Sequence, residues 1–205
     1  MAEQPEVEVS HGEKIAQAKF SIVRRHCWQF HSNKRDRYVE IGPSSLLINY
    51  TTYDCFEHLL SDFLPAAEHF LQPVQKLNIH RLGLRYIDSF DFSDESNPTE
   101  WSKFIRDDLL TTFNLADDRK TISRAFNILE FNYGDTNLRF QYGMPNPDYP
   151  AKIKKKLYVL DWDAYSMNLG LRIRDIKGYL ARYHEKINTA FEEVITDSLR
   201  KKMNA

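Results

Sequence analysis

The order of apolar and polar residues along the chain changes period several times, and each change predicts an element. Around Trp28 and Phe30, apolar residues alternate with Cys27, Gln29 and His31, the period of a strand over His26–His31. A polar turn at Asn33–Asp36 follows. Arg37–Ile41 and Ser45–Tyr50 then read as two further strands about Gly42-Pro43, completing an antiparallel meander. Apolar positions 56, 59, 60, 63, 67 and 70 recur at helical spacing after an N-cap near Thr52, and Pro65 is expected to kink or restart that helix. The run Asn78–Asp88 is a long strand that sends Leu82, Leu84 and Tyr86 to one face and Arg81, Gly83 and Arg85 to the other.

The second half begins with a helix signature. Asn97 stands as cap, Pro98 at the first helical position and Glu100 where a capping box closes, with Trp101, Phe104, Ile105, Leu109 and Phe113 lining the buried face to about residue 114. Residues 121–133 and 136–143 predict two strands around the tight-turn signal Tyr133-Gly134-Asp135, and Leu157–Tyr165 predicts another. The last element is one long helix over Ile173–Met203, apolar at Ile176, Leu180, Tyr183, Ile187, Phe191, Val194, Ile195 and Leu199 and slightly weakened by Gly178. Runs of strands and helices segregated in this way favour an α+β fold over a doubly wound parallel sheet: a curved antiparallel sheet covered by two or three helices. The two halves suggest a shared architecture, strands followed by one long helix, although no residue-level repeat accompanies it. Leu82, Leu84, Tyr86, Phe104, Leu160, Trp162, Ile187 and Phe191 form the expected core, and Trp28, Trp101 and Trp162 are its expected anchors. Residues 1–14, acidic and polar, predict a frayed end or a short edge strand through Val7 and Val9.

Composition narrows this little. A chain of 205 residues with 42% hydrophobic and 28% charged residues is an ordinary globular protein, expected as a single domain, 1–205, able to bury roughly 70% of its unfolded surface without disulfides or structural metal. The 28 Lys and Arg against 29 Asp and Glu leave a net charge of −1, so no global field favours nucleic acid or an anionic membrane. Cys27 and Cys55, each beside an aromatic residue, are too few for a metal quartet and point to a reducing cytoplasm. The first residues lack the basic start and apolar core of a signal peptide, and no apolar run approaches the ~18 residues of a spanning helix.

The usual catalytic patterns are absent. There is no glycine-rich phosphate loop, Cys-x-x-Cys, His-Glu-x-x-His or Gly-x-Ser-x-Gly, and His184-Glu185 meets Asn188 where a second histidine would stand, so no metal or cofactor is expected. His26 and His31, five apart in a strand, face opposite sides. The most suggestive feature is charge inside strands that otherwise read as core: Arg81 and Arg85 share a face, Arg139 lies with Asn137 and Gln141, and Asp161 and Asp163 alternate with Leu160 and Trp162. These five residues are a candidate polar pocket in which guanidinium forks hold an anionic ligand. The plainer reading pairs them across strands on a solvated sheet face. The basic run Lys152-Ile153-Lys154-Lys155-Lys156 is either a set of phosphate contacts or a solvated loop guarding a sheet edge. On the last helix Tyr179 and Tyr183 are four apart and, with Arg182 and Lys186, form a candidate protein interface.

Several segments together resemble a known family. Arg81-Leu82-Gly83-Leu84-Arg85-Tyr86-Ile87-Asp88, Leu160-Asp161-Trp162-Asp163-Ala164-Tyr165, and His184 with Phe191-Glu192 and Ile195-Thr196 are similar to motifs of a sporadically distributed bacterial family with no established activity. Trp28-Gln29-Phe30 and Tyr53-x-x-Phe56 fit its pattern, so that the likeness spans about residues 26–203. The chain departs from it at Asp88, where the family carries Asn, and near Val7–Val9, where the family has a Pro-Leu strand. The resemblance implies a cytoplasmic bacterial accessory protein of the defence or stress kind. The expectation is a non-catalytic interaction module with a protein partner or as a homodimer. Its alternatives are a small-molecule or nucleotide enzyme using the Arg/Asp residues, and a nucleic-acid-binding accessory protein. No membrane association is expected.

Overall fold

The computed structural model describes residues 27–71, 79–92, 98–118, 121–151, 157–170 and 172–203. The expected N-terminal segment, the cap Asn97 and the basic run 152–156 lie outside them. The fold is α+β, as the pattern predicts, with a three-stranded and a four-stranded sheet, both antiparallel. The contacts group the chain into two compact units, Met1–Gln75 and Lys76–Ala205.

In the first unit β1 (Trp28–His31), β2 (Arg37–Gly42) and β3 (Ser45–Tyr50) form the expected meander in the order β1-β2-β3, and α1 (Phe56–Leu71) follows. The helix starts later than Thr52. The N–H groups of Thr51 and Thr52 both donate to the Asp36 carbonyl, at 2.8 and 3.4 Å, which ties them to the β1–β2 turn and leaves the helix to begin four residues on. Pro65 lies inside α1, yet the helix runs through it without a restart. Ser61, whose carbonyl loses its donor to Pro65, is exposed, so that group is hydrated at little cost. Asp62 fastens α1 to the sheet by accepting from the Tyr50 hydroxyl and pairing with Arg37 Nε at 3.1 Å. Trp28 is not a core anchor: it is 63% exposed and Phe30 59%, because β1 is a four-residue edge strand and α1 packs beside β3, at the opposite edge.

The second unit orders β4 (Ile79–Asp91), β5 (Ala125–Asn132), β6 (Asn137–Met144) and β7 (Leu157–Leu169) as β4-β7-β6-β5. Register partners share a face, so Leu82, Leu84 and Tyr86 on β4, Leu160, Trp162 and Ala164 on β7, and Leu138, Phe140 and Tyr142 on β6 make one apolar surface. The Phe140 and Trp162 rings, opposite each other, stack with centroids 3.6 Å apart. α2 (Ile173–Val194) lies against β4 and β7 and buries Ile176, Leu180, Tyr183 and Ile187, whereas Tyr86 and Phe191 are only partly buried. At the other end of the same surface Trp101, Phe104 and Phe113 close over Phe92 and Tyr158.

Two expected helices are each broken, and one contact breaks both. Residues 98–114 fold as two 3₁₀ segments, Pro98–Lys103 and Asp107–Leu115, and the terminal helix divides into α2 and α3 (Asp197–Met203). Between the pieces Ile105 bridges Ile195: Arg106 N–H donates to the Val194 carbonyl at 3.1 Å, and Thr196 N–H to the Phe104 carbonyl at 3.0 Å. Backbone groups used across this bridge are withdrawn from the helical ladder, while Ile105 and Ile195 are buried in return.

Candidate functional site

The face of the four-stranded sheet turned away from α2 carries the five polar residues singled out above. Register places Arg85 and Arg139 on either side of Asp163, Ile87 and Gln141 on either side of Asp161, and Glu130 beside Arg139. The charges pair off. Arg85 donates through Nε and Nη2 to the two oxygens of Asp161 at 2.7 and 2.6 Å, and Arg81 Nη2 reaches both oxygens of Asp163 at 2.7 Å. Arg139 sits 3.8 Å from Glu130 and 3.5 Å from the Gln141 side-chain oxygen. Three guanidinium groups therefore face three carboxylates on an open surface, and the Asp161 carboxylate holds the Arg85 guanidinium still further above its ordinary range. The arrangement is a ladder of cross-strand ion pairs in which Arg139 Nε, 3.8 Å from Glu130, is a buried donor without a hydrogen-bond partner among the described residues.

Arg81 takes an unusual path. It lies along its own strand over Gly83, where an added Cβ would stand 2.7 Å from Arg81 Nη1, and covers the Tyr165 ring at 4.6 Å on its way to Asp163. Gly83 is thus the residue that leaves room for the guanidinium.

On the opposite face Tyr86 and His184 meet, hydroxyl oxygen to Nδ1, at 3.1 Å. Two positions along, Asp88 is partly buried and desolvation raises its carboxyl from 3.8 to about 6. In the first unit Asp54, Cys55 and His58 bring one ligand atom each within 4.8 Å of one another at the start of α1, with the Asp54 carboxylate taking His58 Nδ1 at 2.8 Å. Both end residues of this trio are exposed, and it is bracketed by the positive end of a helix, which disfavours a cation.

The α2 flank is only partly what its spacing suggests. Tyr183 is fully buried and belongs to the core, because the apolar stripe of α2 includes it; Tyr179 is half-buried. Arg182 pairs with Asp135 at 3.2 Å and covers the Tyr179 ring at 4.2 Å, and Lys186 Nζ lies 3.6 Å from the Tyr133 centroid. These contacts tie the flank to the β5–β6 turn, which is closed by Tyr133 N–H donating to the Thr136 carbonyl and by Gly134 at φ +89°.

That turn leads to a feature the sequence reading passed over. β5 ends the sheet, and its Phe126, Ile128, Leu129 and Phe131 are 43, 51, 43 and 39% exposed. Phe126 and Ile128 lie on the open face, Leu129 and Phe131 on the other. The strand carries no lysine, proline or bulge, the devices by which edges usually discourage pairing. The signal was available in Ile128-Leu129, two adjacent apolar residues that break the alternation expected of a one-sided strand. Beside the start of β5, Thr112, Leu115, Ile122, Arg124, Phe126 and Asn127 line an open hollow of about 440 Å³ that holds no carboxylate or histidine.

No helix among the described residues is long and apolar enough to cross a membrane. Compared with known protein families, curated proteins and solved structures, the chain matches none.

Proposed function

We propose that this protein is a non-catalytic interaction module, an accessory subunit of a cytoplasmic bacterial complex, and that it binds through the outer edge of β5 and the adjoining flank of α2. The observation that carries this reading is the β5 edge, which exposes four large apolar side chains on two faces beside a backbone that no described strand pairs with. Support also comes from Arg81–Asp163 and Arg85–Asp161, whose charges pair with one another across the strands as structural ion pairs do. The motifs around Arg81–Asp88 and Leu160–Tyr165 fit the same reading, since they resemble those of an accessory family of the defence or stress kind.

The test is a paired capture from native cells with the intact chain and with Ile128→Lys, which places a charge on the edge without touching the core. Partners retained by the first and lost by the second are the expected result. Equal recovery by both, or recovery of chaperones alone, overturns the proposal.

A further inference from the structure

The β5 edge is self-complementary, and its occupant follows from that. Tyr133 N–H bonds toward β6, so strand alternation turns the main-chain groups of Asn127, Leu129 and Phe131 the same way and leaves those of Phe126, Ile128 and Glu130 pointing outward. Among the described residues nothing pairs with them. Arg124 precedes the strand by one residue, and continuing the alternation of β5 by that one step gives it the face and phase of Phe126; no carboxylate among the described residues stands against it, and its guanidinium rests on the exposed Tyr149 ring at 4.1 Å.

Arg124 and Glu130 are therefore placed symmetrically about Asn127, opposite in charge and both exposed, with Glu130 held only loosely by Arg139 at 3.8 Å. A second strand laid antiparallel along this edge, with a twofold axis through Asn127 perpendicular to the sheet, keeps each face on its own side. It sets Arg124 against Glu130 of the other copy twice over, Phe126 against Ile128 twice over, and Asn127 against itself. Leu115, 89% exposed, lines the same hollow as Asn127. Shifting the pairing by two residues in either direction keeps the faces but loses both charge pairs.

We infer that a second copy of this chain occupies the β5 edge in this register, so that two four-stranded sheets join as one continuous sheet through their β5 strands. The inference rests on the interaction-module reading and names its partner. Apolar pairs at the centre and opposite charges at the ends are what an isologous interface requires, and the outward main-chain groups supply its hydrogen bonds.

A charge exchange tests it with the full chain. Arg124→Glu gives a protein with Glu at both positions, and Glu130→Arg one with Arg at both; neither can pair with itself, and each complements the other. The expected result by analytical ultracentrifugation is a dimer for the native chain, monomers for each variant alone and a dimer for their equimolar mixture, with the circular dichroism spectrum unchanged throughout. Glu130→Arg also sets an arginine opposite Arg139, so its melting temperature falls with that contact as well as with the interface. Asn127→Cys, in a chain with Cys27→Ser and Cys55→Ser, should also form an intermolecular disulfide, because facing residues on a twofold axis bring their Cβ atoms within bonding range. A native chain that sediments as a monomer over a hundredfold range of concentration overturns the second-copy proposal, as does a dimer that survives in both variants. If the native chain is monomeric while partner capture still depends on Ile128, the edge binds a different protein and the interaction-module reading stands. If neither dimer nor capture depends on Ile128, both fail.

Discussion

Arg85 reaches past its register partner Asp163 to hold Asp161, donating from Nε to one carboxylate oxygen and from Nη2 to the other. The displacement is possible because Asp163 is already taken by Arg81, which arrives along the strand over Gly83. Asp161 is the more buried partner, its side chain 10% exposed against 56% for Arg85. Arg85→Ala therefore leaves a nearly buried carboxylate without its cation. The expected loss is about 2 kcal/mol, between the ~1 kcal/mol ceiling of exposed pairs and the 3–5 of buried ones. Urea unfolding of Arg85→Ala, Asp161→Ala and the double substitution measures the coupling, and strict additivity would refute it.

Two glycines predict opposite outcomes for the same substitution. At Gly83 a new Cβ meets only the tip of Arg81, a flexible group, so Gly83→Ala should cost less than about 1 kcal/mol while releasing Arg81 from Asp163. At Gly143 the backbone holds φ +142°, and a Cβ would fall 2.1 Å from the Ala125 carbonyl oxygen across the β5–β6 pair. Gly143→Ala should cost on the order of 3 kcal/mol, a drop in melting temperature of roughly 6–12 °C. Similar melting temperatures for the two variants would contradict this contrast.

Asp88 gives the fold a pH dependence whose sign is set by burial. Its carboxyl is raised from 3.8 to about 6, so the folded state holds this proton more tightly than the unfolded chain does. This contribution to stability is fullest near pH 4 and below, falls as pH rises to about 6, and changes little beyond. Asp88→Asn removes it and should stabilise the protein by about 2 kcal/mol at neutral pH, with a smaller gain in acid. Chemical denaturation of both proteins across that pH range measures the difference, and parallel stability profiles would show that Asp88 is hydrated in the folded state.

Thr196 holds the junction of α2 and α3 through both backbone and side chain, and its carbonyl accepts from the N–H groups of Leu199 and Arg200, each at 3.1 Å. Its N–H donates to the Phe104 carbonyl, its hydroxyl to the Lys103 carbonyl, and the same oxygen accepts from Leu199 N–H at the start of α3. Thr196→Ala keeps every backbone bond and loses the two made by the hydroxyl, at an expected cost of about 1 kcal/mol. Urea unfolding of Thr196→Ala beside Thr196→Ser, which keeps a hydroxyl, measures the contribution, and equal stability of the two variants would argue that the hydroxyl contributes nothing.

The strands and α1 were legible in the sequence because each carries a local period: alternation in β2, β3 and β4, helical spacing from Phe56 to Phe70, and a Gly134 turn between β5 and β6. The division of the two long helices was not. Residues 98–114 and 173–203 both keep helical spacing through their breaks, and the bridge between Ile105 and Ile195 joins positions ninety residues apart, which no local pattern records. The exposure of Trp28 escaped for a similar reason: alternation tells which face a residue takes, and not whether anything covers that face. For the candidate site, spacing correctly put Arg81 with Arg85 and Asp161 with Asp163, and left open whether they enclose a pocket. The answer lay in the register of β4 on β7, fixed by contacts far apart in the chain.

The strand order β4-β7-β6-β5 also says when the sheet can be completed. β5, β6 and β7 are consecutive neighbours and can pair as soon as each is made, but β4 is the first of the four to leave the ribosome and its one partner among the described strands is the last, with the Arg85–Asp161 contact spanning 76 residues. Such long closures slow folding, and until they form the strand is a target for misassociation. The sheet thus assembles backwards, from the meander toward the strand synthesised first. A chain halted before Leu157 would hold a β5–β6 hairpin and an orphaned β4 with Leu82 and Leu84 uncovered, the species on which chaperones would act.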